Sequence, residues 1–391
     1  MQDPRANPVF AGLPTTIFTV MSALAAEHGA INLGQGFPDE DGPLAIREAA
    51  ARALRDGPNQ YPPTRGVPVL REAIAAHAQR FYGFKLDPER NVLVTSGGTE
   101  ALTASILALA GRGGDVVLIE PAYDSYQPIA LAAGARVRSV KLAPPGWRLH
   151  EQALADAVTP DTRVVMLNTP LNPIGRVFDR EELAGFARVL SRSSALAICD
   201  EVYEHLVFDG RPHLPLIGFP DMAERVVRIG SAGKMFSLTG WKVGWVTGAA
   251  PLIDAIAKAH QFITFTTPPA LQRGIAFALE NEMEFTLGLT KDLQSNRDLL
   301  AERLARLGFE VLPCEGTYFL TAGIRALTDE RDDAFCRRLV REAGVALIPL
   351  SAFFENGEPH HLVRFAFCKK RTLIEEALDR LERRFAGGQK R

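Results

Sequence analysis

The segment Ile229-Gly230-Ser231-Ala232-Gly233-Lys234-Met235-Phe236-Ser237-Leu238-Thr239-Gly240-Trp241-Lys242-Val243-Gly244-Trp245 organises the chain. It follows the apolar run Val226-Val227-Arg228-Ile229, which reads as a buried strand. Lys234 stands among small residues, so a bulky group can come close to its amine. Shielded from water, such an amine loses its preference for the charged form and becomes a nucleophile. Ser231 and Lys242 flank it as a hydroxyl donor and a fixed cation, a pair suited to a phosphate. Taken alone, the stretch also reads as a glycine-rich turn with two solvated lysines, so the rest of the chain must supply the other parts of a site.

Upstream, short apolar runs alternate with helical periodicity between about residues 91 and 248. The runs are Val92–Val94, Val116–Ile119, Val164–Leu167, Ala195–Ile198, Val226–Ile229 and Val243–Val246. Helical stretches cover Glu100–Ala110, Tyr126–Ala133, Arg180–Leu190 and Pro251–Ala259. This alternation predicts an α/β fold with a mostly parallel sheet covered on both faces. Ligands of such sheets bind beyond the carboxyl ends of the strands, and the polar candidates collect there. Ser96-Gly97-Gly98-Thr99-Glu100 offers free amides at a helix start, an anion site or a plain N-cap. Tyr123 follows the second run and offers a ring for stacking. Asn172 sits in the rigid turn Leu167-Asn168-Thr169-Pro170-Leu171-Asn172-Pro173-Ile174-Gly175. Asp200 and Tyr203 close the fourth run in Asp200-Glu201-Val202-Tyr203; taken alone, Asp200 is a strand end or a helix cap.

The pattern changes from about Glu284. A long helical stretch, Phe285–Leu307, leads to a second alternation that predicts a smaller α+β domain. The expected division is an N-terminal segment, 1–45, packing with the small domain; a large domain, 46–283; and a small C-terminal domain, 284–391. Arg364 lies in the apolar strand segment His361-Leu362-Val363-Arg364-Phe365-Ala366-Phe367, with Leu362 and Ala366 on its face, which favours bidentate carboxylate binding over a solvated role. Near the N-terminus, Gly34 and Gly36 lack the third glycine and the flanking strand and helix of a dinucleotide fingerprint; they mark a turn where backbone approaches a ligand. Tyr61, in a proline-punctuated loop, reads by itself as a surface aromatic.

Composition narrows the field. Apolar residues are 47% and charged residues 23%, an ordinary globular balance. A formal net charge of -2 gives neither a nucleic-acid footprint nor a polybasic membrane patch. There is no apolar run of bilayer length and no secretory signal pattern, so a cytoplasmic protein is expected. The four cysteines have no ligand spacing and read as core residues in a reducing compartment, with no metal expected.

Together, Asn172, Asp200, Tyr203, Ser231-x-x-Lys234, Gly240-Trp241-Lys242-x-Gly244 and Arg364, in this order along nearly the whole chain, resemble the class I/II aminotransferases of fold type I, which use pyridoxal phosphate (PLP). Gly34-Gln35-Gly36-Phe37-Pro38-Asp39, Asp200-Glu201-Val202-Tyr203-Glu204-His205 and Gly316-Thr317-Tyr318-Phe319-Leu320 bring it closest to the kynurenine/glutamine/methionine aminotransferases. Phe37–Pro43 and Glu201–Leu216 are also similar to bacterial N-succinyldiaminopimelate aminotransferases.

The resemblance implies that Lys234 forms the internal aldimine and moves the proton between Cα and C4′. Asp200 then pairs with the pyridinium nitrogen, keeping the ring an electron sink. Tyr203 and Asn172 bond the ring's 3′ oxygen, and Tyr123 stacks on the ring. Gly98 and Thr99 amides, Ser231, Lys242 and a neighbouring subunit's Tyr61 hold the phosphate. Arg364 clamps the substrate carboxylate with Asn172 and Gly36, while Phe18 and a partner's Phe265 line the side-chain pocket. The implied unit is therefore a homodimer with shared sites. The implied reaction is ping-pong transamination between an L-amino acid and a 2-oxo acid, with β-elimination from cysteine conjugates open to the same carbanion.

Two positions depart from the family: Ile174 replaces a threonine and Leu171 a common histidine. The aromatic set Phe18, Tyr123, Phe265 and Phe353 favours an apolar or aromatic substrate side chain. The alternative, the N-succinyl-LL-diaminopimelate enzyme of lysine biosynthesis, needs a distal cation, for which Arg65 is the one candidate. A third reading, an effector-sensing regulator with an aminotransferase-like domain, requires a DNA-binding module; only about 30 residues precede the first family motif, and the net charge is slightly acidic.

Overall fold

The computed structural model describes residues 6–385. Seven strands form its central sheet: β1 (Val92–Thr95), β2 (Asp115–Glu120), β3 (Arg136–Lys141), β4 (Thr162–Asn168), β5 (Leu196–Asp200), β6 (Val226–Ser231) and β7 (Gly244–Gly248). Their spatial order is β1-β7-β6-β5-β4-β2-β3. All pairings are parallel except those of β7, which runs antiparallel to both β1 and β6. The inner strands are buried on both faces, which is why they read as unbroken apolar runs.

β3 escapes that reading. Its sequence, Arg-Val-Arg-Ser-Val-Lys, is mostly polar because it lies at the sheet edge, where Val140 alone of its residues is buried. Charged side chains along an exposed edge also discourage pairing with another chain.

The helix after β1 begins three residues before the apolar periodicity does, spanning Gly97–Leu109. Gly97 has φ +79, a left-handed conformation open to glycine at little cost, and this turns the chain directly from strand into helix. Gly98 and Thr99 thus belong to its first turn. Elsewhere, Asp179 and Glu182 form a reciprocal capping box that starts the helix Arg180–Ser191.

A 24-residue helix, Met283–Arg306, leads to a second sheet. Its strands are β8 (Glu310–Val311), β9 (Phe319–Gly323), β10 (Ile348–Pro349) and β11 (Leu362–Ala366), ordered β10-β11-β9-β8 and antiparallel. The N-terminal segment joins this part of the molecule. Ile31–Asn32 pairs in parallel with Val345–Ala346, and the Ala366 amide donates to the Leu33 carbonyl at 2.6 Å. One continuous apolar cluster runs from the central sheet to the second. Among the described residues, no helix is long and apolar enough to cross a membrane.

Candidate active site

The parallel strands deliver their last residues to one edge of the sheet. Asn168 ends β4, Asp200 ends β5 and Ser231 ends β6, while the turn after β1 carries Gly97 and Gly98. These groups line one cavity of about 410 Å³. The same wall includes Thr99, Tyr123, Asn172, Tyr203, Lys234, Lys242, Gly36, Phe18 and Arg364. Residues separated by more than 300 positions in sequence therefore face each other across it.

At one end the cavity is built for an anion. The first amides of the helix Gly97–Leu109 have no partners within that helix, and its dipole adds partial positive charge. Ser231 and Lys242 complete this end. Lys242 has φ +54, unusual for a residue with a Cβ, and its side chain turns toward the helix start. A Cβ on Gly97 would lie 3.2 Å from the Lys242 Cε. A Cβ on Gly244 would lie 2.8 Å from the Gly97 carbonyl carbon and 3.0 Å from the Gly98 nitrogen. Glycine at 244 thus lets the helix start seat directly on β7.

The same cavity carries Asp200, buried in its lining. Tyr126 donates to its Oδ2 at 2.6 Å, and the Val202 amide approaches Oδ1 at 3.4 Å. Burial pushes the Asp200 carboxyl above its ordinary range. A carboxylate held there by neutral donors favours a ligand that brings a proton-bearing nitrogen. A flat ring with a basic nitrogen at one end and a phosphate at the other fits this donor set.

Lys234 lines the cavity as well. Burial lowers its amine from 10.5 to about 8, so about a tenth is uncharged at pH 7, against well under a thousandth for a solvated lysine. Its Nζ donates to the Tyr318 hydroxyl at 2.7 Å, and that hydroxyl donates to the Gly36 carbonyl at 2.6 Å. Tyr203 approaches Tyr318 at 3.5 Å between hydroxyls, with their rings edge to face.

Arg364, 1% exposed, forms the fourth corner. It donates to Asn172 Oδ1 at 3.0 Å and to the Gly34 carbonyl at 2.8 Å, while its Nε has no partner among the described residues. Its guanidinium lies 4.0 Å from the Phe319 ring centroid, with Phe353 and Phe18 at 5.0 and 5.2 Å. Burial lowers it to about 10, still charged at neutral pH. Asn172 is itself held by its amide donating to Asn168 Oδ1 at 2.8 Å, and Asn168 in turn donates to the Asp200 carbonyl.

Tyr61 and Phe265 do not line this cavity. They pack edge to face on each other, centroids 5.1 Å apart, with Tyr61 81% exposed. Arg65 also lies elsewhere, paired with Asp254 and donating to the Glu89 carbonyl. Leu171 and Ile174 are fully buried, so both departures from the family pattern fill core space.

Sequence reasoning had assigned no role to Tyr126 or Tyr318. Both are buried aromatics whose hydroxyls need partners, and Tyr318 belongs to the segment Gly316-Thr317-Tyr318-Phe319-Leu320. That demand for a partner was the available signal.

The family model described as aminotransferase class I and II matches residues 28–381. The chain is 47% identical over 378 residues to a probable N-succinyldiaminopimelate aminotransferase of Mycobacterium tuberculosis, covering 94% of this chain and 95% of that protein. It is 42% identical over 369 residues to the methionine aminotransferase of Escherichia coli, covering 94% and 96%. The solved N-succinyldiaminopimelate aminotransferase from Mycobacterium tuberculosis superposes with a TM-score of 0.93 at 46% identity, covering 96% of this chain and 99% of that one.

Proposed function

The chain belongs to the class I and II aminotransferase family, and from that premise we propose that it moves an amino group between an L-amino acid and a 2-oxo acid with pyridoxal phosphate held in the cavity described above. The observation that carries this reading is that Lys234 and Asp200, 34 positions apart in sequence, line one cavity with an anion-binding end beside them.

Bound there, pyridoxal phosphate would supply an aldehyde and an electron-poor ring able to spread the charge left when a Cα proton departs. The Gly98 and Thr99 amides, Ser231 and Lys242 would hold its phosphate. Asp200 would hold a proton on the ring nitrogen, Tyr203 and Asn172 would bond its hydroxyl oxygen, and Tyr123 would cover one face. Lys234 is the general base and acid: an amine near pKa 8 can accept the Cα proton and return it. Arg364 orients the substrate through its carboxylate, with Asn172 and Gly36 beside it. Tyr61 and Phe265 are assigned to a partner subunit's site in a homodimer, and the exposed cluster Tyr61, Phe262, Ile263 and Phe265 supports such a contact. The proposed compartment is the cytoplasm.

For the substrate side chain we propose an aromatic, kynurenine-like, glutamine or methionine type. Phe18, Phe319 and Tyr123 give the cavity an aromatic wall, and Lys234, Lys242 and Arg364 all have other duties. A second reading, N-succinyl-diaminopimelate, is supported by the 47% identity to the mycobacterial relative. Steady-state rates with L-methionine, L-kynurenine, L-glutamine and N-succinyl-diaminopimelate separate the two; a preference for the last by tenfold or more, on the order of 1.4 kcal/mol, overturns the first. Lys234→Ala abolishes turnover and the borohydride-reducible link between protein and cofactor, whereas Lys242→Ala chiefly weakens cofactor retention. Full activity in Lys234→Ala would refute the assignment.

A further inference from the structure

We infer that Tyr318 is a positioning residue for Lys234, tying the amine to the backbone segment Gly34–Gly36 that also holds Arg364. The inference rests on the transamination reading for its chemical meaning, but the contacts stand without it.

Tyr318 is buried behind Lys234, and its hydroxyl has one proton to give. The Gly36 carbonyl, which can only accept, takes it at 2.6 Å. The tyrosine oxygen is then left with lone pairs, and Lys234 Nζ at 2.7 Å must be the donor. This fixes one N–H of the amine and leaves its remaining positions toward the cavity. An accepting oxygen at this distance donates nothing to the amine and so favours its ammonium form over the neutral one.

Gly36 permits the arrangement. A Cβ there would lie 2.5 Å from the Phe319 ring and 3.2 Å from the Tyr318 ring, so only glycine brings this carbonyl onto the hydroxyl. Two residues earlier, the Gly34 carbonyl accepts from Arg364 at 2.8 Å. One short backbone segment therefore holds the group that receives the substrate carboxylate and, through Tyr318, the group that moves the proton. A carboxylate arriving at the unpartnered Nε of Arg364 pulls on the same segment that sets Lys234.

The test is Tyr318→Phe, which keeps the ring and its edge-on contact with Tyr203. In the cofactor-free enzyme, the pH midpoint for acylation of Lys234, read by site-resolved mass spectrometry, should fall by about one unit as the acceptor is lost. In the holoenzyme, kcat should fall about tenfold with KM little changed, and the α-deuterium isotope effect should rise. A purely packing role would leave the labelling midpoint where it is. An unchanged midpoint overturns the inference whatever happens to kcat; a shifted midpoint with unchanged kcat and isotope effect overturns its link to proton transfer. Should Tyr318→Phe fail to fold, Tyr318→Leu removes the same hydroxyl and is read the same way. Borohydride trapping at Lys234 in the wild-type holoenzyme tests the cofactor separately, so failure of the transamination reading is distinguishable from failure of this one.

Discussion

Lys234 pays for its reactivity in stability. Its amine sits near 8 in the folded enzyme and at 10.5 when solvated, so between those values the unfolded chain binds more protons at this site. This group therefore contributes stability to the cofactor-free enzyme as pH rises across that window, up to about 3 kcal/mol. Urea unfolding of wild type and Lys234→Met at pH 7.5 and pH 10 should show the wild type gaining most of that amount relative to the variant; equal pH dependence in both would reject the burial account. The difference from the variant is the readout, because the four buried thiols, each raised by burial, lose stability with rising pH in the same window, and buried tyrosines such as Tyr126 and Tyr203 do so at still higher pH. Lys234, Asp200, Asn172 and Arg364 stood out in the sequence for local reasons: Asp200 ends an apolar run, Arg364 interrupts one, Lys234 follows one among small residues, and Asn172 lies in a turn fixed by prolines. Tyr126 and Tyr318 did not. At a helix start and beside a strand an aromatic passes for core, and only tertiary approach brings the hydroxyl of one to Asp200 and of the other to Lys234.

The turn that carries Asn172 is held from behind by a buried ionic cluster. Arg176 pairs with Glu182 at 2.6 Å and with Glu315, and the Gly175 carbonyl accepts from the Glu315 and Gly316 amides. Arg176→Met would leave the buried Glu182 carboxylate without its cation and Glu315 with Arg211 alone. A loss of about 3 kcal/mol is expected in urea unfolding, of the size seen when one partner of a buried pair is removed. Weaker retention of cofactor should accompany it, because the loop of Asn172 loses its brace; an unaltered unfolding midpoint would show that the cluster does not hold the loop. Elements of this kind were only partly legible. Apolar runs announce the inner strands, since burial on both faces favours apolar positions, but the edge strand β3 is mostly polar and carries no such signal. The helix start at Gly97 was hidden by the two glycines that make the tight exit from β1 possible.

At the scale of the molecule, the proposed dimer has a sharp consequence. If Tyr61 serves the partner's phosphate, then Lys234 and Tyr61 of one subunit belong to different sites, and in a hybrid dimer Lys234→Ala in one subunit and Tyr61→Ala in the other fall in the same site. Mixed and refolded together, the two inactive or weakened variants should form hybrids containing one intact site, recovering up to about a quarter of wild-type activity. No recovery above the sum of the parents would place Tyr61 in its own subunit's chemistry or in none. The four cysteines say something different about the whole chain. Cys199 lies in the central sheet, Cys314 and Cys368 beside the second, and Cys336 on the helix Asp332–Ala343; all four are free and buried, and burial raises each thiol. Thiolate chemistry needs both ionisation and access, so alkylating reagents find nothing to attack until the chain opens. The enzyme therefore carries a built-in chronometer of its own breathing, with each sulfur marking the moment its layer parts.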